Sequence, residues 1–260
     1  MAEREHRGLK PFLKVFMATN LASRLSVDTT IADLFAATAE DPEIASIFAG
    51  GDKEWIIAGY LGHFLARLVR ETARRSILEF GAGTSSLVFA AALAKSGGGC
   101  LTSIEHQPEY SRDAWARVEA TTGVDAQLVV SPLVLRASRH GLMYGYYEVP
   151  AQLLATRAPF DLVLIDAPPG QSGRDSPLYQ VYDFLDAGAI VVLDDAGRPA
   201  EQTACRRWLD TFPGLQLVHF DLHGRGTAVF RHNGDKRRRV AGRSVLGTVH
   251  DRLLQWRRTK

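Results

Sequence analysis

Three aspartates sit at positions where side-chain chemistry would be expected. Asp166 follows the apolar run Leu162-Val163-Leu164-Ile165, and Asp194 and Asp195 follow Ile190-Val191-Val192-Leu193. Carboxylates brought close together raise one another's pKa and can supply a general base. The same oxygens can also hold a divalent cation. A second group of residues suits binding rather than reaction. Glu79-Phe80-Gly81-Ala82-Gly83-Thr84-Ser85 closes the apolar run Ser76–Phe80 and opens an alanine- and leucine-rich segment. Glycines let the chain turn sharply and let a ligand come close to the backbone. A strand–Gly-x-Gly–helix junction is therefore a candidate nucleotide-binding turn, and Thr84 or Ser85 can cap its helix. Glu105 ends the next apolar run, 22 residues beyond Gly83. An acid about 20 residues past the glycines can accept hydrogen bonds from ribose hydroxyls.

Each of these residues also has a plainer reading. The glycine turn can be an ordinary strand-to-helix junction, and Glu105 a solvated strand end. Asp166 can order the turn Ala167-Pro168-Pro169-Gly170, and Asp195 can cap the next helix. Arg198 and Glu201, three apart, can pair across one helical turn.

The elements that must position these residues follow from the hydrophobic rhythm. Strand-like runs at Ser76–Phe80, Cys100–Glu105, Ala126–Ser131, Phe160–Asp166 and Ala189–Asp194 alternate with helical ones. The helical runs are Ser85–Lys95, Pro108–Thr121, Val149–Arg157 and Leu178–Ala187. That alternation predicts a parallel sheet with helices on both faces. A helix at Pro199–Thr211 comes next, then Leu215–Asp221 and Gly226–His232, whose short link Leu222-His223-Gly224-Arg225 makes them an antiparallel pair. In an open parallel sheet, ligands bind outside the carboxyl ends of the strands. Asp166, Asp194 and Asp195, at the ends of their strands, should then line that crevice, and they converge on the glycine turn if their strands adjoin the one before it. Three parts are expected: residues 1–75 as a helical cover over the strand ends, 76–233 as the core, and 234–260 as a basic tail or helix.

Ser86 stands where a dinucleotide fingerprint has its third glycine. That residue, with Glu79 just ahead of the turn, disfavours a pyrophosphate and suits a ligand with a positive group. The turn, together with Ile104-Glu105-His106 and the closing hairpin, resembles the class I S-adenosylmethionine-dependent methyltransferases. The resemblance covers about residues 52–232 and implies a Rossmann-like, doubly wound seven-stranded sheet of order 3-2-1-4-5-7-6 with its last strand antiparallel. It implies S-adenosyl-L-methionine as cofactor. Gly81, Ala82 and Gly83 would then pass the amino-acid end, with Thr84 and Ser85 beside them. Glu79 would hold the ammonium, directly or through water, and Glu105 the ribose. His106 would neighbour the pocket, Ser131-Pro132-Leu133 would lie near adenine, and Asp166 would lie near the line of methyl transfer.

The acid cluster is similar to that of the catechol-type O-methyltransferases, which implies Asp166, Asp194 and Asp195 as ligands of Mg2+ or another divalent cation. Those enzymes often carry a lysine three residues after the first Asp, and here that position is Pro169. A nearer resemblance is to a bacterial methyltransferase group. Its marks are Asp166-Ala167-Pro168-Pro169-Gly170, Asp194-Asp195-Ala196-Gly197-Arg198-Pro199-Ala200-Glu201, Trp208 and Tyr146-Tyr147. That resemblance implies O-methylation of a small-molecule or saccharide hydroxyl. The alternatives are an N- or nucleic-acid methyltransferase, an aminopropyl transferase, or a nucleotide-fold binding protein without catalysis. His63, His106, His140 and His223 are further candidate bases. Gly170–Ser176 is rich enough in glycine and serine to move as a lid, and Tyr144, Tyr146 and Tyr147 suit stacking on a sugar or aromatic ring.

Composition bounds the setting. The chain of 260 residues has a net charge of +2 and two cysteines, Cys100 and Cys205, which make neither a disulfide framework nor a metal-ligand pattern. A reducing, cytoplasmic setting is expected, with no membrane span, no secretory signal and homo-oligomerisation left open. From Gly234 onward nine lysines and arginines face two aspartates, so the body is acidic and the tail basic. The tail, with Val245, Leu246, Val249, Leu253 and Trp256 at helical spacing, can dock on the body or a partner, or meet RNA, DNA or an acidic membrane surface. No recognisable nucleic-acid module accompanies it.

Overall fold

Alternate residues of the strands face opposite layers, and this decides the architecture. The computed structural model describes residues 20–37, 39–49, 57–138, 141–168 and 174–239, with backbone alone at 135–138 and 141–147. The N-terminal elements are α1 (Thr29–Ala36), α2 (Pro42–Phe48) and α3 (Gly59–Glu71). Then come β1 (Ser76–Phe80), α4 (Thr84–Lys95), β2 (Gly99–Glu105), α5 (Arg112–Glu119) and β3 (Val124–Val130). They are followed by β4 (Leu133–Ser138), β5 (Gly141–Tyr147), α6 (Ala151–Arg157), β6 (Phe160–Ile165) and α7 (Ser176–Val181). The chain closes with β7 (Leu185–Asp194), α8 (Pro199–Thr211), β8 (Leu215–Asp221) and β9 (Thr227–His232).

The main sheet has seven strands in the order β3-β2-β1-β6-β7-β9-β8, and β4 and β5 form a separate hairpin. With that hairpin set aside, the order is the expected 3-2-1-4-5-7-6. β9 runs antiparallel to both β7 and β8, while the other ladders are parallel. On one face Leu78, Phe80, Val163, Ile165, Val191, Leu193 and Phe230 meet α6, α7 and α8. On the other, Ile77, Leu162, Leu164, Ile190, Val192 and Val229 meet α3, α4 and α5. The period-two alternation thus divides two continuous cores, as a sheet covered on both sides requires.

Local chemistry sets the helix starts. Asp28 accepts from the Ile31 amide at 3.1 Å and Asp41 from the Glu43 amide at 2.9 Å, each capping the helix it precedes. Pro42 fills the first turn of α2, where a missing N–H costs nothing. The Arg70 guanidinium beside Asp41 holds its carboxyl well below the usual range.

Several expectations change. α3 does not lie across the strand ends. It packs beside α4 on one sheet face, and only its first turn, with Tyr60, reaches the rim. Leu185–Ala187, read as helix, is the start of β7, and the tyrosine-bearing run 141–147 is a hairpin strand. Of the expected helical cover, residues 1–19 and 50–56 lie outside the described residues, as do His140, most of the glycine–serine segment 170–176 and the tail from Val240. Of the basic run, Lys236 donates to the carbonyls of Asp183 and Leu185, Arg237 pairs with Asp235, and Arg238 pairs with Asp183. These contacts lie by the start of β7, the opposite end of the sheet from the aspartates. Among the described residues no helix is long and apolar enough to cross a membrane.

Candidate active site at the carboxyl ends of the strands

β1 ends in a turn held from three sides. The Gly81 amide donates to the Ile104 carbonyl at 2.9 Å, the Ala82 amide to Glu105 Oε2 at 3.0 Å, and the Gly83 amide to Ser86 Oγ at 3.0 Å. Gly81 has φ +99°, and a Cβ there would meet the Ala167 Cβ at 2.9 Å. Gly83 differs: a Cβ there would meet nothing within 4 Å. Gly81 is therefore explained by the protein itself, whereas Gly83 leaves open space at the turn.

Glu105 bridges this turn to the end of β2. Its second oxygen accepts from the amides of His106 and Gln107 at 2.6 and 2.7 Å, and His106 Nδ1 lies 2.9 Å away. Next to it, the Ser131 amide donates to the Glu105 carbonyl at 2.8 Å, while Ser131 Oγ is buried without a hydrogen-bond partner. Pro132 is exposed beside it. Glu105, His106, Ser131 and Pro132 thus lie together at the ends of β2 and β3.

Glu79 and Ser85 stand elsewhere than expected. Glu79 is fully buried behind the turn and accepts from the hydroxyls of Ser85, Ser86 and Ser103. It ties β1, β2 and α4 together and has no surface toward the crevice, so direct contact with a ligand ammonium is not what this carboxylate makes. Ser85 is spent on Glu79, and the cap position of α4 is Gly83 rather than Thr84 or Ser85. Thr84 remains half-buried at the turn.

Burial raises the Glu79 carboxyl from 4.5 to about 7, against the lowering effect of its three hydroxyl partners. A folded-state pKa above the unfolded one stabilises the protein at low pH, and that stability is lost as pH rises toward the folded value. The thermal midpoint is therefore expected to decline as pH rises from the ordinary carboxylate range through about 7. Glu79→Gln should flatten that decline. Melting curves across this range would count against the assignment if the variant kept the wild-type slope.

The second half of the site is built by β6 and β7. The Asp166 amide donates to the Phe80 carbonyl at 3.0 Å, which places Asp166 directly beside the glycine turn. Asp166, Asp194 and Asp195 offer oxygens that all lie within 4.8 Å of one another. Asp195 adopts φ +60°, a left-handed conformation that aspartate tolerates better than most residues. Asp166 keeps 21% of its side chain exposed, against 1% for Asp194 and 3% for Asp195. Burial, with the charge of Asp194, pushes the Asp166 carboxyl well above its ordinary range, while Arg174 works against that rise. Burial and Asp195 likewise raise Asp194.

Three arginines meet these acids, and sequence reading missed two of them. Arg174, 6% exposed, donates to Asp195 Oδ2 at 2.7 Å and lies 3.5 Å from Asp166 Oδ1 and 3.9 Å from Glu201 Oε1. Arg225, in the β8–β9 link, lies 3.2 Å from Asp195 Oδ1 and 3.7 Å from Asp194 Oδ2. Arg198 pairs with Asp195 at 2.9 Å instead of with Glu201. Glu201 is fully buried, and burial raises its pKa. Nothing in the sequence marks Arg174 as buried, because it follows a polar glycine–serine stretch. Tyr60 was also missed, hidden in the apolar stripe of α3. Its hydroxyl donates to the His223 carbonyl at 3.0 Å, and its ring lies 5.3 Å from that of His223. Burial, followed by Asp194 among the charges, raises its phenol above the ordinary range. His223 thus lies at the rim, whereas His63 accepts the Asp41 amide at 3.3 Å away from the aspartates.

The oxygens of the three aspartates are close enough to share a divalent ion. The space among them, however, is already approached by the Arg174 guanidinium, and Asp195 is met by three arginines. A metal would have to displace or coexist with that charge.

The strand order, the glycine turn and the acids at the strand ends are those of a Rossmann-like, doubly wound fold. Residues 78–196 match the profile of a methyltransferase domain. Among solved structures, an O-methyltransferase from Bacillus cereus in complex with S-adenosylhomocysteine superposes with a TM-score of 0.54 at 17% identity, covering 81% of this chain and 99% of that one. TomG, an O-methyltransferase of tomaymycin synthesis from Streptomyces achromogenes solved with S-adenosylmethionine, gives 0.51 at 20% identity, over 82% of this chain and 98% of that one. A Podospora anserina methyltransferase bound to S-adenosylhomocysteine gives 0.51 at 14%, over 89% and 97%. At these identities the likeness speaks for the fold. No curated protein sequence matches the chain.

Proposed function

We propose that this protein is an S-adenosylmethionine-dependent O-methyltransferase that acts on a hydroxyl of a small molecule or saccharide. The observation that carries the reading is one junction. The glycine turn is bonded to Glu105 on one side, through the Ala82 amide at 3.0 Å, and to Asp166 on the other, through the Phe80 carbonyl at 3.0 Å. A binding half and a reacting half therefore share one turn. The residues present fit the cofactor. Open space faces Gly83, Ser131 Oγ is buried without a partner, and Glu105 offers carboxylate oxygens at the end of β2.

S-adenosylmethionine would supply a methyl group already activated on a sulfonium. What remains for the protein is alignment, exclusion of water and the acceptor's proton. Gly81–Gly83 and Glu105 orient the donor. Asp166, the one of the three acids with exposed surface, takes the hydroxyl proton, and Tyr60 and His223 border the acceptor side. The free thiols Cys100 and Cys205 support a reducing, cytoplasmic setting. The anchoring of Lys236 and Arg238 on the body weighs against a nucleic-acid acceptor.

Calorimetry with S-adenosylhomocysteine tests the reading. The folded chain is expected to bind it, and Glu105→Ala to weaken binding by about ten- to a hundredfold, since a hydrogen bond to a charged group contributes about 1.5–3 kcal/mol. Glu105→Gln, which keeps one acceptor oxygen, should lose less. Failure of the wild-type chain to bind, or binding indifferent to Glu105→Ala, would overturn the assignment.

A further inference from the structure

Arg174 is buried inside an acidic cluster, and every polar group of its side chain is used. Nε donates to the Pro168 carbonyl at 3.1 Å, and Nη1 to the Asp194 carbonyl at 3.1 Å and to Asp195 Oδ2 at 2.7 Å. Nη2 faces Asp166 Oδ1 at 3.5 Å, and Nε faces Glu201 Oε1 at 3.9 Å. The guanidinium thus contacts or faces residues from the ends of β6 and β7, which present the three aspartates, and from α8, which presents Glu201. Its backbone is fixed as well. The neighbouring Asp175 pairs with Arg207 at 2.9 Å, and its carbonyl accepts from Trp208 Nε1 at 2.8 Å. Asp166, Asp194, Asp195 and Glu201 meet the three cations Arg174, Arg198 and Arg225. A divalent ion would add two charges to a space that already holds a permanent one, and guanidinium does not deprotonate to make room.

We infer that Arg174 is the resident cation of the Asp166–Asp194–Asp195 cluster, that it takes the place of a divalent metal, and that it acts as the positioning residue for Asp166. The inference rests on the reading of this cluster as the acceptor half of the methyltransferase site, but its test does not require the acceptor. Spherical cations coordinate carboxylate oxygens from any direction, whereas guanidinium fixes them through directed donors. Arg174 orders Asp166 from one side and leaves its exposed face to the acceptor.

Mn2+ is the probe, followed by electron paramagnetic resonance and calorimetry on the full chain. Wild type is expected to show no stoichiometric Mn2+ site, and neither Mn2+ nor a chelator should move its thermal midpoint. Arg174→Ala removes the resident charge and should gain Mn2+ binding by at least about tenfold over wild type. Asp194→Asn added to that variant should abolish the gain. A stoichiometric Mn2+ site in wild type that is lost on Asp194→Asn would overturn the inference, as would a folded Arg174→Ala chain that still excludes the ion. If Arg174→Ala does not fold, Arg174→Gln, which removes the charge but keeps hydrogen-bonding atoms and all three carboxylates, is read the same way. S-adenosylhomocysteine binding on the same samples reports on the methyltransferase reading separately. A wild-type metal site with that binding intact overturns this inference alone.

Discussion

Asp166→Asn is expected to slow methyl transfer by about 10²–10⁴-fold, the usual contribution of a positioned general base, with S-adenosylhomocysteine binding nearly unchanged. The asparagine keeps the shape and the backbone bond to Phe80, so the turn should survive. What it loses is a carboxylate that can accept the acceptor's proton. Asp194 and Asp195 are almost completely buried, and Asp166 alone of the three presents a surface a substrate can touch. The pH profile separates this role from a structural one. Burial and the Asp194 charge raise the Asp166 pKa, so the rate should climb with pH through a value above the ordinary carboxylate range. Asp194→Asn removes one of the raising charges and should move that limb to lower pH. Single-turnover transfer to a hydroxyl acceptor found by screening measures both. A full rate in Asp166→Asn, or a limb unmoved by Asp194→Asn, would remove Asp166 from the proton transfer.

Much of this site could be read from types and spacing. Runs such as Leu162–Ile165 and Ile190–Leu193 are apolar without interruption because both their faces are covered, and each ends at an acid where the sheet ends. The alternation of runs implied a parallel sheet and the family resemblance implied its strand order, so the convergence of Asp166 with Asp194 and Asp195 was foreseeable. Glu105 was foreseeable for the same reason, because its distance from Gly83 is fixed by one helix and one strand.

What escaped reading depended on contacts remote in sequence. Glu79 looked like a ligand group because it precedes the turn. Its true surroundings are Ser103 from β2 and Ser85 and Ser86 from α4, and only packing brings those hydroxyls together. Arg174 lies in a polar stretch that reads as surface, yet Trp208 and Arg207 of α8 pin the adjoining Asp175. Arg225 sat in a short hairpin link and reaches Asp195 because that link docks on the turn after β7, with the Gly197 amide donating to the Arg225 carbonyl at 2.9 Å. The helical expectation fails at Leu185–Ala187 because three residues carry too little periodicity to separate a strand start from a helix end.

Gly81 and Gly83 look equivalent in the sequence, and their substitution is expected to have opposite effects. Gly81→Val places a branched side chain at φ +99°, with its Cβ 2.9 Å from that of Ala167. The backbone conformation costs about 1–3 kcal/mol for such a residue, and crowding against packed neighbours adds about 1–3 kcal/mol. At about 2–4 °C per kcal/mol for a chain of this size, the thermal midpoint should fall by many degrees, and binding would fall with the fold. Gly83→Val meets nothing within 4 Å, so the midpoint should fall far less than that of Gly81→Val. The new methyl groups instead enter the space in which the donor must approach the turn. S-adenosylhomocysteine affinity should drop by about a hundredfold or more, roughly the 2.7 kcal/mol that separates an admitted ligand from one held off the backbone. Differential scanning calorimetry and titration on the same two variants decide the matter. If Gly83→Val melts as early as Gly81→Val, the second glycine serves the fold. If it melts late and still binds, the cofactor does not lie on this turn. Only a stable chain that has lost its ligand assigns Gly83 to binding and Gly81 to the protein's own close packing.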